Sequence, residues 1–159
     1  MIKKYRQFYE TYKYKLFRYL MFKCGDYEVS RDIMQESFTR HFQHSRNSAE
    51  ASPAFLFTIA RNALVDYQRH ENKSTGIQDS APQLSRDLET DVMVREECRI
   101  VAESFNKLPS EDREILELVV SGLPYKQIAE TLSLSEANIK VKVHRVRVRL
   151  RDIIQNGGD

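Results

Sequence analysis

Apolar positions recur along the first seventy residues at spacings of three and four. Tyr5, Phe8, Tyr9, Tyr12, Leu16, Tyr19 and Leu20 line one side of "KKYRQFYETYKYKLFRYLMF". That period predicts a helix, broken at Gly25. A second helix is predicted from about Glu28 to Phe42, with Ile33, Met34, Ser37, Phe38, His41 and Phe42 on one side. "HSRNSAEASP" reads as a loop. Pro53 suits the first turn of a third helix to about His70, striped by Leu56, Ile59, Ala60, Ala63 and Tyr67.

The polar run "ENKSTGIQDSAPQLSRDLETD", residues 71 to 91, has no helical period and contains Gly76 and Pro82. It reads as a flexible linker, long for a loop inside one compact domain. Behind it, "ETDVMVREECRIVAESFNKL" predicts a helix. Ser110 is the expected N-cap of the next, with Glu111 and Asp112 favourable to its dipole and Gly122 at its end. "PYKQIAETL" is a short helix, "SLS" a tight turn, and Ser135 caps a last helix to about Ile154. The fold class is all-α: two small helical domains joined by a flexible linker.

Ile139 to Val143 alternates strictly and imitates a strand. On a helix, however, Ile139, Val143, Val146, Leu150 and Ile153 fall on one side, at spacings of 4, 3, 4 and 3. Asn138, Val141, Lys142, Arg145, Val148 and Arg149 fall largely on the other. A short helix, a three-residue turn and a longer helix make a helix-turn-helix. Ile128, Ala129 and Leu132 are its expected inward residues, and Leu134 plugs the turn. Residues 137 to 151 hold six Lys or Arg and no acid, a face suited to DNA phosphates. Arg145 has the geometry to grip a guanine edge and Asn138 an adenine edge. The plainer alternative is a solvated basic face on a core helix.

Composition sharpens this picture. The net charge of the 159 residues is only +2 although 30% are charged, so the basic patch is local. Fourteen of the sixteen Phe and Tyr lie before residue 70, which argues for two differently built halves. Cys24 and Cys98 are far apart in sequence, without metal-type spacing, and fit a reducing compartment. No apolar run is long enough for a membrane span, and "MIKKYRQFYE" does not read as a signal peptide. A soluble, cytoplasmic protein is expected. His41 and His44 with Cys24 fall short of the convergent ligands a metal needs. No cofactor, metal site or catalytic motif is expected, so the chain reads as no enzyme.

"SRDIMQESFTRHF", "FLFTIARNALVDYQRH" and "LPSEDREILELVVSGLPYKQIAETLSLSEANIKVKVHRVRVRLR" together resemble the extracytoplasmic-function sigma factors of bacterial RNA polymerase. The resemblance covers nearly the whole chain apart from the linker, and "IARNALVDYQR" is its most telling part. It implies that residues 1–71 are sigma region 2, 72–91 a linker and 92–159 sigma region 4. Asp32, Gln35, Glu36 and Phe38 would then dock on the clamp helices of the polymerase's largest subunit, with Phe38 as an exposed anchor in a polar rim. Arg61, Asn62, Asp66, Arg69 and the loop from Ser45 to Ser52 would hold the melted minus-ten strand. In that set Asn62 meets an extruded base, and Asp66 orients its neighbours. Asn138, Lys140, Val141, His144 and Arg145, with Lys142 and Arg149 on the basic face, would read the duplex minus-thirty-five element. Lys140 and His144 lie nearer the edge of that face.

The resemblance also implies an anti-sigma partner. The chain departs from many relatives at Thr39, His41 and Phe42, and it has no tryptophan. Two other readings of the residues stay open: a stand-alone helix-turn-helix regulator, and a decoy that binds partners without opening DNA.

Overall fold

The structure is a computed structural model that describes residues 2–46, 52–75 and 100–156. Among these residues every regular element is an α-helix. In chain order they are α1 (Ile2–Cys24), α2 (Tyr27–Ser45), α3 (Pro53–Thr75), α4 (the helical residues 100–106), α5 (Ser110–Ser121), α6 (Tyr125–Leu132) and α7 (Glu136–Gln155). The third helix outruns its expected end at His70. The expected linker from residue 76 onward, Cys98 and most of the loop between α2 and α3 lie outside the described residues.

Local chemistry explains the boundaries. Gly25 closes α1 with a φ of 69°, and its amide bonds the Met21 carbonyl at 2.8 Å. The Asp26 carboxylate then caps α2 by accepting from the Val29 amide at 3.1 Å. Gly122 ends α5 with a φ of 91°. Ser110 is not the N-cap of α5: Pro109 holds that place, and its carbonyl accepts from the Arg113 amide at 3.0 Å, so Ser110 is already helical. The dipole-favourable Glu111 and Asp112 do occupy the first turn.

α1 is the spine. Its 23 residues span roughly 34 Å at about 1.5 Å each. It packs against α2 and α3 on one side and α5 on the other, while α3 also meets α6. One core therefore runs through both halves: Leu16, Tyr19, Leu20, Ile33, Leu56 and Phe57 in front, Ile115, Leu118, Ile128, Ile139 and Val143 behind. A smaller cluster of Phe105, Leu108, Leu116 and Val146 takes Phe22 of α1, whose ring meets Phe105 edge-on at 4.8 Å. Each large apolar side chain so buried contributes about 1.5–3 kcal/mol.

The predicted faces of α1, α2 and α7 are the buried faces. α3 differs. Ala54, Leu56, Phe57, Ala60 and Leu64 are buried, whereas Tyr67 is 39% exposed. The helix is covered from two directions, by α2 and by α6, and its buried arc turns toward Phe57 and Leu64. At the front, His41 is fully buried. Its ring stacks on Phe8 at 4.8 Å, and Nε2 donates to the Ser52 carbonyl at 3.0 Å. The Tyr5 hydroxyl sits between the Phe38 carbonyl and His41 Nδ1, 3.0 Å from each. Burial lowers the affinity of His41 for a second proton and raises the Tyr5 phenol to about 12.

Candidate nucleic-acid interface

The last two helices form the expected helix-turn-helix. Ser133 turns the chain in the left-handed region, φ 57°, and the Leu134 amide bonds back to the Ala129 carbonyl at 2.9 Å. The Ser135 hydroxyl caps α7 by accepting from the Asn138 amide at 3.1 Å. Ile139, Val143 and Val146 anchor the helix in the core, with Leu150 and Ile153 half-buried beside them. Asn138, Lys140, Val141, His144 and Arg145 all remain exposed along one run of the helix. Lys142 is half-buried and lines the cleft between the halves. Arg149 is exposed, but its guanidinium reaches back to Asp112 at 2.6 Å. The arrangement presents an exposed hydrogen-bonding edge with cations and a rigid apolar back, as a major-groove reader requires.

On α3, Asn62, Asp66 and Arg69 are exposed and Arg61 is half-buried. On α2, Asp32, Gln35 and Glu36 form an exposed polar row, and Glu36 is paired with Arg40 one turn on. Phe38 does not join that row. It is 5% exposed and packs edge-on against Tyr9 at 4.8 Å, so it is a core residue and not an exposed anchor. An aromatic two residues from Glu36 points to the opposite side of the helix, where Phe8 and Tyr9 of α1 enclose it.

Sequence reasoning missed a charged cluster between the halves. Glu114 of α5 meets three groups of the front half, one through a hydrogen bond and two through charge contacts. The Tyr19 hydroxyl donates to Oε1 at 2.9 Å, Lys23 Nζ lies 2.6 Å from Oε2, and Arg61 Nε lies 3.3 Å from Oε1. Lys23 also lies 3.0 Å from Glu117, a charge contact without a well-aligned hydrogen bond. Glu114 and Glu117 are only 9% and 6% exposed. Burial pushes the Glu117 carboxyl up to about 7; Lys23 draws it down, and the Glu114 charge adds to the rise. Burial works against the Lys23 charge, but the two carboxylates outweigh it and hold the ammonium above its ordinary value. Burial and then the same carboxylates raise the Tyr19 phenol well above its own.

The signal was present in the spacing. Glu114, Glu117, Leu118 and Ser121 share one face at i, i+3, i+4 and i+7, and Lys23 extends the Leu16, Tyr19, Leu20 stripe. Acids set within an apolar stripe announce a buried partner.

Comparison with known proteins accords with these two modules. Residues 8–74 match the model of Sigma-70 region 2, and residues 98–150 match that of Sigma-70 region 4. The ECF RNA polymerase sigma factor SigM of Bacillus subtilis is 29% identical over 95% of each chain. SigL of Mycobacterium tuberculosis is 26% identical over 96% of this chain and 90% of its own. The fold is also that of the sigma factor RpoE of Bartonella quintana, solved with the anti-sigma factor NepR. The TM-score there is 0.70 at 19% identity, over 96% of this chain and 98% of that one. CnrH, solved with the cytosolic domain of CnrY, gives 0.68 at 19% identity, over 98% of this chain and 90% of that one. The chain belongs to the extracytoplasmic-function (ECF) sigma factors, which direct core RNA polymerase to specific promoters and initiate transcription. Among the described residues no helix is long and apolar enough to cross a membrane.

Proposed function

We propose that the chain divides promoter recognition between two faces. Residues 1–71 dock on the polymerase clamp helices through Asp32, Gln35 and Glu36, and hold melted minus-ten DNA through Arg61, Asn62 and Arg69, with Asp66 orienting them. Residues 92–159 read the duplex minus-thirty-five element through Asn138, Lys140, Val141, His144 and Arg145. Residues 76–91, beyond the end of α3, link the two. The observation that carries this reading is the exposed, one-signed edge of α7 set on a fully buried Ile139–Val143–Val146 back. Phosphate attraction gives affinity and the Asn and Arg edges give sequence.

The chain holds DNA and polymerase while the polymerase performs the chemistry, so it acts as a non-catalytic factor in the cytoplasm. One structural neighbour, RpoE, is a sigma factor solved in complex with an anti-sigma factor, which supports such a partner here. The test is core polymerase with promoter DNA, scored for strand opening and transcript. Asn62→Ala is expected to spare closed binding and weaken opening. Unchanged opening would remove α3 from the melted-strand site.

A further inference from the structure

Glu114 belongs to the rear half, yet its hydrogen bond from Tyr19 and its ion pairs with Lys23 and Arg61 all reach it from the front. One of those donors is a guanidinium assigned above to melted DNA. A carboxylate and a phosphate are alternative anionic partners for the same guanidinium, and a carboxylate already beside it weakens its pull on a second anion. An open cleft of about 910 Å³ lies beside this contact, lined by Lys23, Arg61, Glu114, Glu117 and Lys142. The helix assigned above to duplex reading thus contributes Lys142 to the same seam.

We propose that Glu114 is an internal stand-in for nucleic-acid phosphate, latching the rear half onto Arg61 so that the free chain masks one cation of its own melted-strand site while Asn62 and Arg69 stay exposed. The masking, though not the latch, rests on the assignment of Arg61 to DNA. Closure is reinforced by Phe22 on Phe105. It is specific because Glu114 meets a phenol and two cations at once, and loss of its charge leaves Lys23 and Arg61 facing a neutral group. Opening re-exposes both cations to water or to DNA.

The experiment uses the full chain with both cysteines replaced by serine and fluorophores on cysteines placed at exposed Tyr14 and Arg151. Energy transfer reports the separation of the halves. A short labelled single-stranded DNA of mixed sequence reports Arg61. The reference chain is expected to give one high-transfer population and weak oligonucleotide binding. Glu114→Gln is expected to shift the chain to low transfer and tighten oligonucleotide binding about tenfold, as Arg61 loses its anionic neighbour. Adding Arg61→Ala should abolish that gain and leave the low transfer. If Glu114→Gln stays at high transfer, the latch is overturned. If it opens without tighter oligonucleotide binding, the masking is overturned through the assignment of Arg61, and the latch stands. Should Glu114→Gln fail to fold, Arg61→Ala alone, at a half-exposed position, must lower the transfer or the latch falls.

Discussion

Lowering the pH from 8 to 6 is expected to close the two halves on each other by about tenfold. The group responsible is Glu117, whose carboxyl burial lifts from 4.5 to about 7. Lys23 and Tyr19 of α1, Arg61 of α3 and Glu114 on its own helix face this region, and Lys142 of α7 lines the same cleft. If the halves part, Glu117 regains water and returns toward its ordinary value. The closed form then binds the proton more tightly than the open one. Its advantage is fully present below the open-state value and is lost as the pH rises through about 7. At pH 6 the closed form gains a factor of roughly 11 from this proton, and at pH 8 roughly 1.1, a difference of about 1.4 kcal/mol. Energy transfer between the halves across this range measures it. Glu117→Gln, a neutral mimic of the protonated acid, should remain closed at pH 8 and lose the pH dependence. An unchanged slope in that variant would refute the reasoning, because the proton would then belong to another group.

Three further outcomes follow from the geometry. Phe38→Ala should cost about 3–5 kcal/mol of stability, seen as a lowered thermal midpoint without polymerase, because the ring is core. Arg145→Ala should weaken duplex promoter binding by about 1–3 kcal/mol, while Arg149→Ala, already paired with Asp112, should change it far less in the same gel-shift titration. Ser135→Ala removes the cap of α7 and should lower stability by about 1 kcal/mol on denaturant unfolding.

Much of this was legible in the sequence wherever a helix has one wet side. α7 is the clearest case: a run that alternates like a strand is sorted by a 3.6-residue period into the buried Ile139, Val143 and Val146 and the exposed Asn138, Lys140 and Arg145. The period weakens where a helix is covered from two directions, and so the stripe drawn through Tyr67 missed Phe57 and Leu64. Phe38 was misread because its acidic neighbours suggested an interface, whereas the ring points away from them into Phe8 and Tyr9. The Glu114 cluster shows in the sequence only as acids within an apolar stripe, and the partners of those acids cannot be read from the halves one at a time. Its donors lie 95 residues away in the case of Tyr19, a distance that no local pattern spans.

Tyr19 gives the molecule an optical consequence. The chain has no tryptophan, so excitation energy in its eight tyrosines has no indole to drain into. A phenol hydrogen-bonded to a carboxylate emits poorly, and Tyr19 holds that bond only while α5 lies against α1. Ultraviolet emission of the unlabelled chain should therefore brighten whenever α5 leaves α1.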